Sequence, residues 1–231
     1  MESLAVALQP YKDTVGLSAA VITVLQFFSG VFVVNDIRRK GSSEGFSAGP
    51  FLGGAVFSLL NVQFGQMLQD DAMIKVNLIG LGLNVVYVCA FYWYTLGPAK
   101  NKVWGQIGLA GAIAAGLLAY VQYEDPKVVE FRFGMILTVI LLILVGMPLL
   151  GLGEILKNKS TEGLPFPIIL SGSFVSLAWL LYGVILRSNF LVAQNVIALV
   201  LGLVQLSLFV IFPSKPSSST KKATKSDKKT N

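Results

Sequence analysis

Ser42-Ser43-Glu44-Gly45, then Pro50-Phe51, then Asn61, Gly65 and Asn77, decide the reading of this chain, because most of them return at a constant distance. Adding 118 to Ser42, Glu44, Gly45, Ser58, Gly65 and Asn77 gives Ser160, Glu162, Gly163, Ser176, Gly183 and Asn195, all unchanged. Asp36 meets Glu154, and Arg39 meets Lys157. Beyond the asparagines, Ile79, Leu81, Leu83, Val86 and Phe91 meet Ile197, Leu199, Leu201, Val204 and Phe209. One offset held over about 55 residues is an internal duplication. In an apolar chain, a duplicated unit is a mark of carriers whose substrate site lies between the halves.

The chain is apolar. Its 231 residues have a mean hydropathy of +0.71, and only 13% are charged, against about 25% in soluble domains. Apolar runs of about twenty residues suit helices crossing a ~30 Å hydrocarbon layer. Seven spans are expected, at 14–34, 48–66, 73–95, 103–122, 130–150, 164–184 and 190–212. The second is the weakest by hydropathy, since Ser58, Asn61, Gln63 and Gln66 interrupt it, but its repeat partner supports it. The lone cysteine, Cys89, excludes an intrachain disulfide, and residues 1–10 show no basic leader.

Basic residues sort by side: thirteen fall in the loops 1–2, 3–4 and 5–6 and in the tail, and five fall on the opposite side. The positive-inside rule then puts the N-terminus outside the cytosol, extracellular or lumenal, and the tail within it. The net charge of +6 is a matter of topology and not of nucleic-acid binding. The expected organisation is an outer N-terminus (1–13), a first three-helix repeat (14–95), a linker helix (96–125), a second repeat (126–213) and a disordered cytosolic tail (214–231). The linker has no echo. Three spans invert direction, so one extra span lets the second triplet enter the membrane like the first, giving parallel repeats in a 3+1+3 all-α membrane fold. Its small residues, among them Gly105, Gly108, Gly111 and Gly116, permit close packing and suit an oligomer contact.

Asn77 and Asn195 fall at matching depth in spans 3 and 7. A carboxamide offers two donors and an acceptor, the mixture that a sugar hydroxyl requires. Either asparagine alone could serve as interhelical glue; a duplicated pair points to a substrate site. Trp179 offers an indole face for a sugar ring where its repeat equivalent, Asn61, offers an amide, so the half-sites are unequal. Pro50, Pro148 and Pro165 are the candidate hinges, with Gly30 in the place equivalent to Pro148. Asp36 with Arg38, and Glu154 with Lys157, could form a gate at the cytosolic mouth. There is no histidine and no carboxylate in the middle of a span. A proton relay of the usual kind is therefore missing, and downhill uniport is expected. No catalytic constellation, metal-ligand cluster or phosphate loop is present, so neither an enzyme nor a cofactor is implied.

Ser43-Glu44-Gly45 before Pro50-Phe51, Met147-Pro148-Leu149, Lys159-Ser160-Thr161-Glu162-Gly163-Leu164-Pro165-Phe166, Trp179-Leu-Leu-Tyr-Gly183 and Gln194-Asn195 resemble the SWEET (MtN3/saliva) sugar transporters over residues 14–213, most of all the animal members. The resemblance implies two three-helix bundles joined by an inversion linker, and facilitated, bidirectional flux of glucose or related monosaccharides. It implies pocket asparagines at Asn77 and Asn195, a pocket tryptophan at Trp179 and four hinges at Gly30, Pro50, Pro148 and Pro165. A homo-oligomer in the plasma membrane or the Golgi membrane is the accompanying expectation. Gly30, Asn61 and Gln194 depart from the family's usual proline, serine or tryptophan, and proline. A PQ-loop carrier of another polar solute shares the architecture but not these motifs. The helices of a seven-helix receptor would not show the duplication; a structural membrane partner without flux is the alternative that the sequence leaves open.

Overall fold

The structure, a computed structural model, describes residues 2–146 and 166–212, together with 153, 157, 159 and 161. Its elements are α1 (Glu2–Leu8), a 3-10 turn (Gln9–Tyr11), α2 (Lys12–Phe27), α3 (Ser29–Lys40), α4 (Gly49–Met67), α5 (Asp71–Trp93), α6 (Ala99–Tyr123), α7 (Val129–Gly146), α8 (Phe166–Ile185) and α9 (Asn189–Ile211). Each expected span holds a helix. The first extends further than expected, because residues 2–11, read as an outer segment, are themselves helical.

Among the described residues, six helical stretches are long and apolar enough to cross a bilayer, with α1 to α3 counted as one run, so the chain is a multi-pass membrane protein. Helix α4 is absent from the six. Its 19 residues still reach about 28 Å at 1.5 Å per residue. Two of the polar side chains that lower its hydropathy are turned inward, Ser58 at 2% and Asn61 at 5% exposed, while Gln63 is half-buried and Gln66 is exposed near the helix end. Packed against α5, α6 and α7, this helix meets little lipid.

Helix order repeats along with the sequence. In the first triplet α5 lies between α2 and α4; in the second, α9 lies between α7 and α8. The triplets meet where α2 packs on α8 and α4 packs on α7, contacts that a twofold axis along the membrane normal interchanges. The linker α6 packs on α4. One apolar core (Leu60, Phe64, Met73, Phe133, Leu137, Tyr182) joins the triplets; another (Ile37, Phe51, Tyr87, Phe91, Val103) joins the first triplet to the linker.

Backbone details recur at the same offset. Gln69 and Arg187 both have left-handed φ, 50° and 56°. Each precedes an N-cap, Asp70 for α5 and Ser188 for α9, whose side chain accepts the amide three residues on. Asp70 N–H donates to the Gly65 carbonyl at 2.9 Å, and Ser188 N–H donates to the Gly183 carbonyl at 3.0 Å. These turns lie on the same membrane face as the chain's start, called here the N-terminal face; the opposite one is the tail face.

The first transmembrane run breaks at Phe28, between α2 and α3. Val31 N–H bonds to the Phe28 carbonyl at 3.0 Å, which frees the Phe27 carbonyl to accept the Tyr87 hydroxyl at 3.1 Å. A Cβ on Gly30 would lie 2.4 Å from the Tyr87 ring, so glycine here admits the tyrosine that satisfies the broken turn. In the second repeat, Gln205 Nε2 donates to the Val145 carbonyl at 3.3 Å, the equivalent pair of positions. Pro50 sits in the first turn of α4, where its missing N–H costs no helix bond. Pro148, Pro165 and Glu154 lie outside the described residues.

Candidate functional site

A cavity of about 250 Å³ lies on the seam between the triplets. Its wall takes Thr23, Gln26 and Phe27 from α2, Ser58 and Asn61 from α4, and Met73 and Asn77 from α5. From the second repeat come Leu141 and Val145 (α7), Ser176 and Trp179 (α8), and Gln194 and Asn195 (α9). The four residues singled out for substrate in the sequence, Asn61, Asn77, Trp179 and Asn195, thus line one space.

The two paired asparagines are held alike. Asn77 Nδ2 donates to the Met73 carbonyl at 2.9 Å, and Asn195 Nδ2 donates to the Leu191 carbonyl at 2.8 Å. Each amide spends one N–H on its own helix. The second N–H and the Oδ1 oxygen remain for a ligand. Asn61 is tied in the same way, its Nδ2 donating to the Phe57 carbonyl at 2.8 Å.

Trp179 is fixed from the opposite triplet. Its indole N–H donates to Thr23 Oγ1 at 2.8 Å, and the Thr23 hydroxyl donates to the Ala19 carbonyl at 2.7 Å. The Tyr182 ring packs against the indole in a T-shaped pair, ring centroids 5.6 Å apart. With its nitrogen satisfied, the indole offers a ligand apolar ring surface and no free donor.

Toward the N-terminal face the seam is closed. The Tyr182 hydroxyl donates to Asp70 Oδ2 at 2.6 Å, while Asp70 Oδ1 accepts the Met73 amide at 2.8 Å. Tyr182 and Asp70 are each 2% exposed. The tyrosine ring lies against α2 at Gly16, where a Cβ would come within 2.8 Å of it. On the other diagonal Phe64 contacts Phe133 and Phe190, with ring centroids at 6.4 Å in both cases. All the side-chain hydrogen bonds and ring contacts that cross from α2–α5 to α7–α9 among the described residues lie between cavity level and this face.

At the tail face, Asp36 is exposed, and no ion pair joins it to Arg38 or to any other described residue. The expected Asp36–Arg38 pairing is therefore absent: both side chains point into solvent, where an isolated pair gains little. Lys75, at the other face, pairs with Asp71 at 3.1 Å across one exposed helical turn.

Some residues of the site escaped the sequence reading, and others were quoted there in motifs without a role. Thr23 and Gln26 are polar residues one turn apart in an apolar span, a visible signal that carries no repeat echo. Gln194 is 3% exposed, and its Nε2 braces α9 to α7 through Thr138 Oγ1 at 3.0 Å and the Gly134 carbonyl at 3.3 Å. Tyr182 stands within a quoted motif, but its partner Asp70 reads in sequence as an ordinary loop charge.

Fold and cavity together define a class: a membrane carrier of small solutes, built from two parallel helix triplets with a polar-lined site at their seam. The sequence profile of the family described as a sugar efflux transporter for intercellular exchange matches residues 13–99 and 131–217, two segments that start 118 residues apart. The sugar transporter SWEET1 of Caenorhabditis elegans is 30% identical over 206 residues, which cover 89% of this chain and 67% of that protein. SWEET1 of Drosophila pseudoobscura pseudoobscura is 27% identical over 88% of this chain and 90% of its own length. The bidirectional sugar transporter SWEET2b of Oryza sativa subsp. japonica is 28% identical over 87% and 89%. A solved structure of a eukaryotic SWEET transporter at 3.7 Å resolution superposes with a TM-score of 0.80 at 25% identity, covering 90% of this chain and all of that one. The chain belongs to the SWEET (MtN3/saliva) family of sugar efflux transporters, a family of carriers and not of enzymes.

Proposed function

We propose that this chain is a uniporter that carries a monosaccharide such as glucose in both directions by alternating access between its two triplets. One observation carries the reading: Asn77 and Asn195, equivalent in the duplication and identically tethered, line a single cavity. Its volume of about 250 Å³ lies just under the ~300 Å³ at which sites for drug-sized ligands begin, which suits one sugar ring better than two. Asn77 and Asn195 grip hydroxyls, Trp179 stacks on a C–H face, and Asn61 supplies the polar counterpart on the other side. Gln26, also on the wall, has no side-chain hydrogen bond among the described residues and adds a free amide.

The closed N-terminal face supports reading this as the conformer that loads or unloads from the tail face. The charge split supports an extracellular or lumenal N-terminal face and a cytosolic tail face, in the plasma membrane or the Golgi membrane. The repeats, at 14–95 and 126–213 with the linker 96–125 between them, rock about Gly30 and Pro50 in the first and Pro148 and Pro165 in the second. Asp36 and Glu154 serve as the charged gate of the tail face when the triplets close there. Self-association, as a homo-oligomer, fits the small residues on α6.

Radiolabelled glucose flux in sealed proteoliposomes tests the reading. Downhill uptake that equilibrates, accelerated exchange with sugar inside, and no response to a pH gradient are expected. Absence of flux for every monosaccharide by folded protein, or accumulation above the outside concentration, would overturn it.

A further inference from the structure

A second cavity lies away from the seam, at the tail face, between the α3–α4 loop and the linker helix. It measures about 440 Å³, within the usual range for small-molecule sites. Lys102 and Glu44 line it, both exposed, and neither has an ion-pair partner among the described residues. Lys40 adds a third charge at the rim: its Nζ donates to the Glu44 carbonyl at 2.6 Å and has no carboxylate partner among the described residues. Ser42, Ser47 and Gln106 supply hydroxyl and amide groups to the wall.

The field of the surrounding backbone has the same sign as the lysines. The N-caps of α4 and α6, Ala48 and Pro98, are both in the lining; the Ser47 hydroxyl accepts the Gly49 amide at the start of α4 at 3.1 Å, and the N-cap of α6 makes no side-chain cap bond. Each such end carries about half a positive charge. Two ammonium groups and two helix ends therefore outweigh one carboxylate, and a singly charged anion is favoured.

The rim says which anion. Leu96, part of the lining, is 66% exposed. Trp93 and Trp104, at the same ends of α5 and α6, are 79% and 57% exposed, and exposed tryptophans of a membrane protein sit at headgroup level. The cavity thus opens at the depth where lipid phosphates lie, beside an apolar flank. The chain's own tail is a poor occupant, since six lysines give it the same sign as the site. We propose that this cavity binds the phosphate of a membrane phospholipid, with the acyl chains passing Leu96 onto the exposed flank of α5 and α6. The bound lipid would clamp the linker to the first triplet, against the core that Val103 shares with Phe51 and Phe91.

The test uses the purified full chain in neutral detergent, titrated with dioleoylphosphatidylglycerol and followed by thermal unfolding and by quenching with a headgroup-labelled analogue. A saturable rise in melting temperature is expected for the unaltered chain. Lys102→Gln should weaken the apparent affinity about fivefold, the worth of one lysine near anionic lipid. Glu44→Gln should strengthen it by a similar factor, because it removes the opposing carboxylate. Opposite shifts from the two variants cannot come from misfolding. Lys75→Gln, at the other face, should leave the titration unchanged. Equal affinity in the unaltered chain, Lys102→Gln and Glu44→Gln would overturn the site. An equal effect from free glycerol phosphate would overturn the lipid in favour of a soluble phosphate ester.

Discussion

The two diagonals of the N-terminal seam are equivalent in backbone and opposite in chemistry. On one, α8 reaches across to α2 and to the head of α5 with two hydrogen bonds, Trp179 to Thr23 and Tyr182 to Asp70. On the other, the same positions hold Asn61 opposite Leu141 and Phe64 opposite Ser188. Asn61 turns back to its own helix, and Phe64 packs against Phe133 and Phe190. A hydrogen bond to a buried carboxylate is short-ranged and directional, so it is either made or lost. Packed rings can slide with a graded loss of contact. The polar diagonal therefore closes the face like a latch, with bonds that are made or lost, and the aromatic diagonal closes it by packing that loosens gradually.

The largest effects should come from the part of the site where the diagonals are alike. Asn77→Ala and Asn195→Ala should each abolish sugar flux in proteoliposomes while the melting temperature in detergent stays near that of the parent. Retention of flux by one of the two would show that the symmetry is structural only. Next in size is the latch. Tyr182→Phe leaves Asp70 buried with one oxygen short of a partner, at about 1–3 kcal/mol, and should raise thiol labelling of a cysteine placed at Thr23 from the N-terminal side. Phe64→Leu should leave that labelling little changed; equal labelling in the two variants would erase the distinction between the diagonals.

Thr23→Val keeps the shape of the side chain and removes the acceptor of the Trp179 indole, which costs about 1 kcal/mol. The expected outcome is an apparent affinity for sugar several-fold weaker with maximal flux nearly kept. Leu141→Thr, its mirror, should do little, because the Asn61 amide is already bonded to Phe57. A loss as large from the mirror variant would refute the positioning role of Thr23.

The smallest effect concerns the N-terminal end of the linker's connection to the second triplet. Glu124 accepts the Tyr120 hydroxyl at 2.6 Å and Arg132 Nη1 at 2.6 Å. The tyrosine bond first, then the arginine bond and the Asp125 amide, lower its pKa from 4.5 to about 2. A carboxyl whose folded pKa is depressed stabilises the fold above its unfolded pKa and loses that contribution as pH falls toward the folded one. Thermal unfolding should therefore show a shallow loss of stability between about pH 5 and pH 2, which Glu124→Gln flattens. An unchanged slope in that variant would assign the loss to other carboxylates.

Much of this was legible in residues alone. The Ser-x-Glu-Gly echo with Asn77 and Asn195 set the duplication, the seven spans and the pair at the site. Hydropathy misjudged α4 for a physical reason: a helix that lines a cavity and packs on three neighbours owes its polarity to them and not to lipid. Asp36 and Arg38 stand at the tail face, the cytosolic mouth expected from the sequence, but two residues apart is a spacing that does not bring side chains to one side of a helix, so they do not pair with each other here. Asp70 looked like a solvated loop charge, and burial by Tyr182 from 112 positions away is invisible to any local window.

The sequence by itself determined what depends on pattern and offset: membrane residence from the apolar runs, parallel repeats from the constant 118-residue shift, and the candidate amides from their repetition. Only the tertiary structure decided which repeated residues meet across the seam. The duplication places partners at equal depth on either side of an axis, but it cannot say which diagonal is bonded, because that depends on side chains contributed by different triplets. Thr23 with Trp179 and Asp70 with Tyr182 are such pairs, and they became partners only when α2 and α8 were packed against each other.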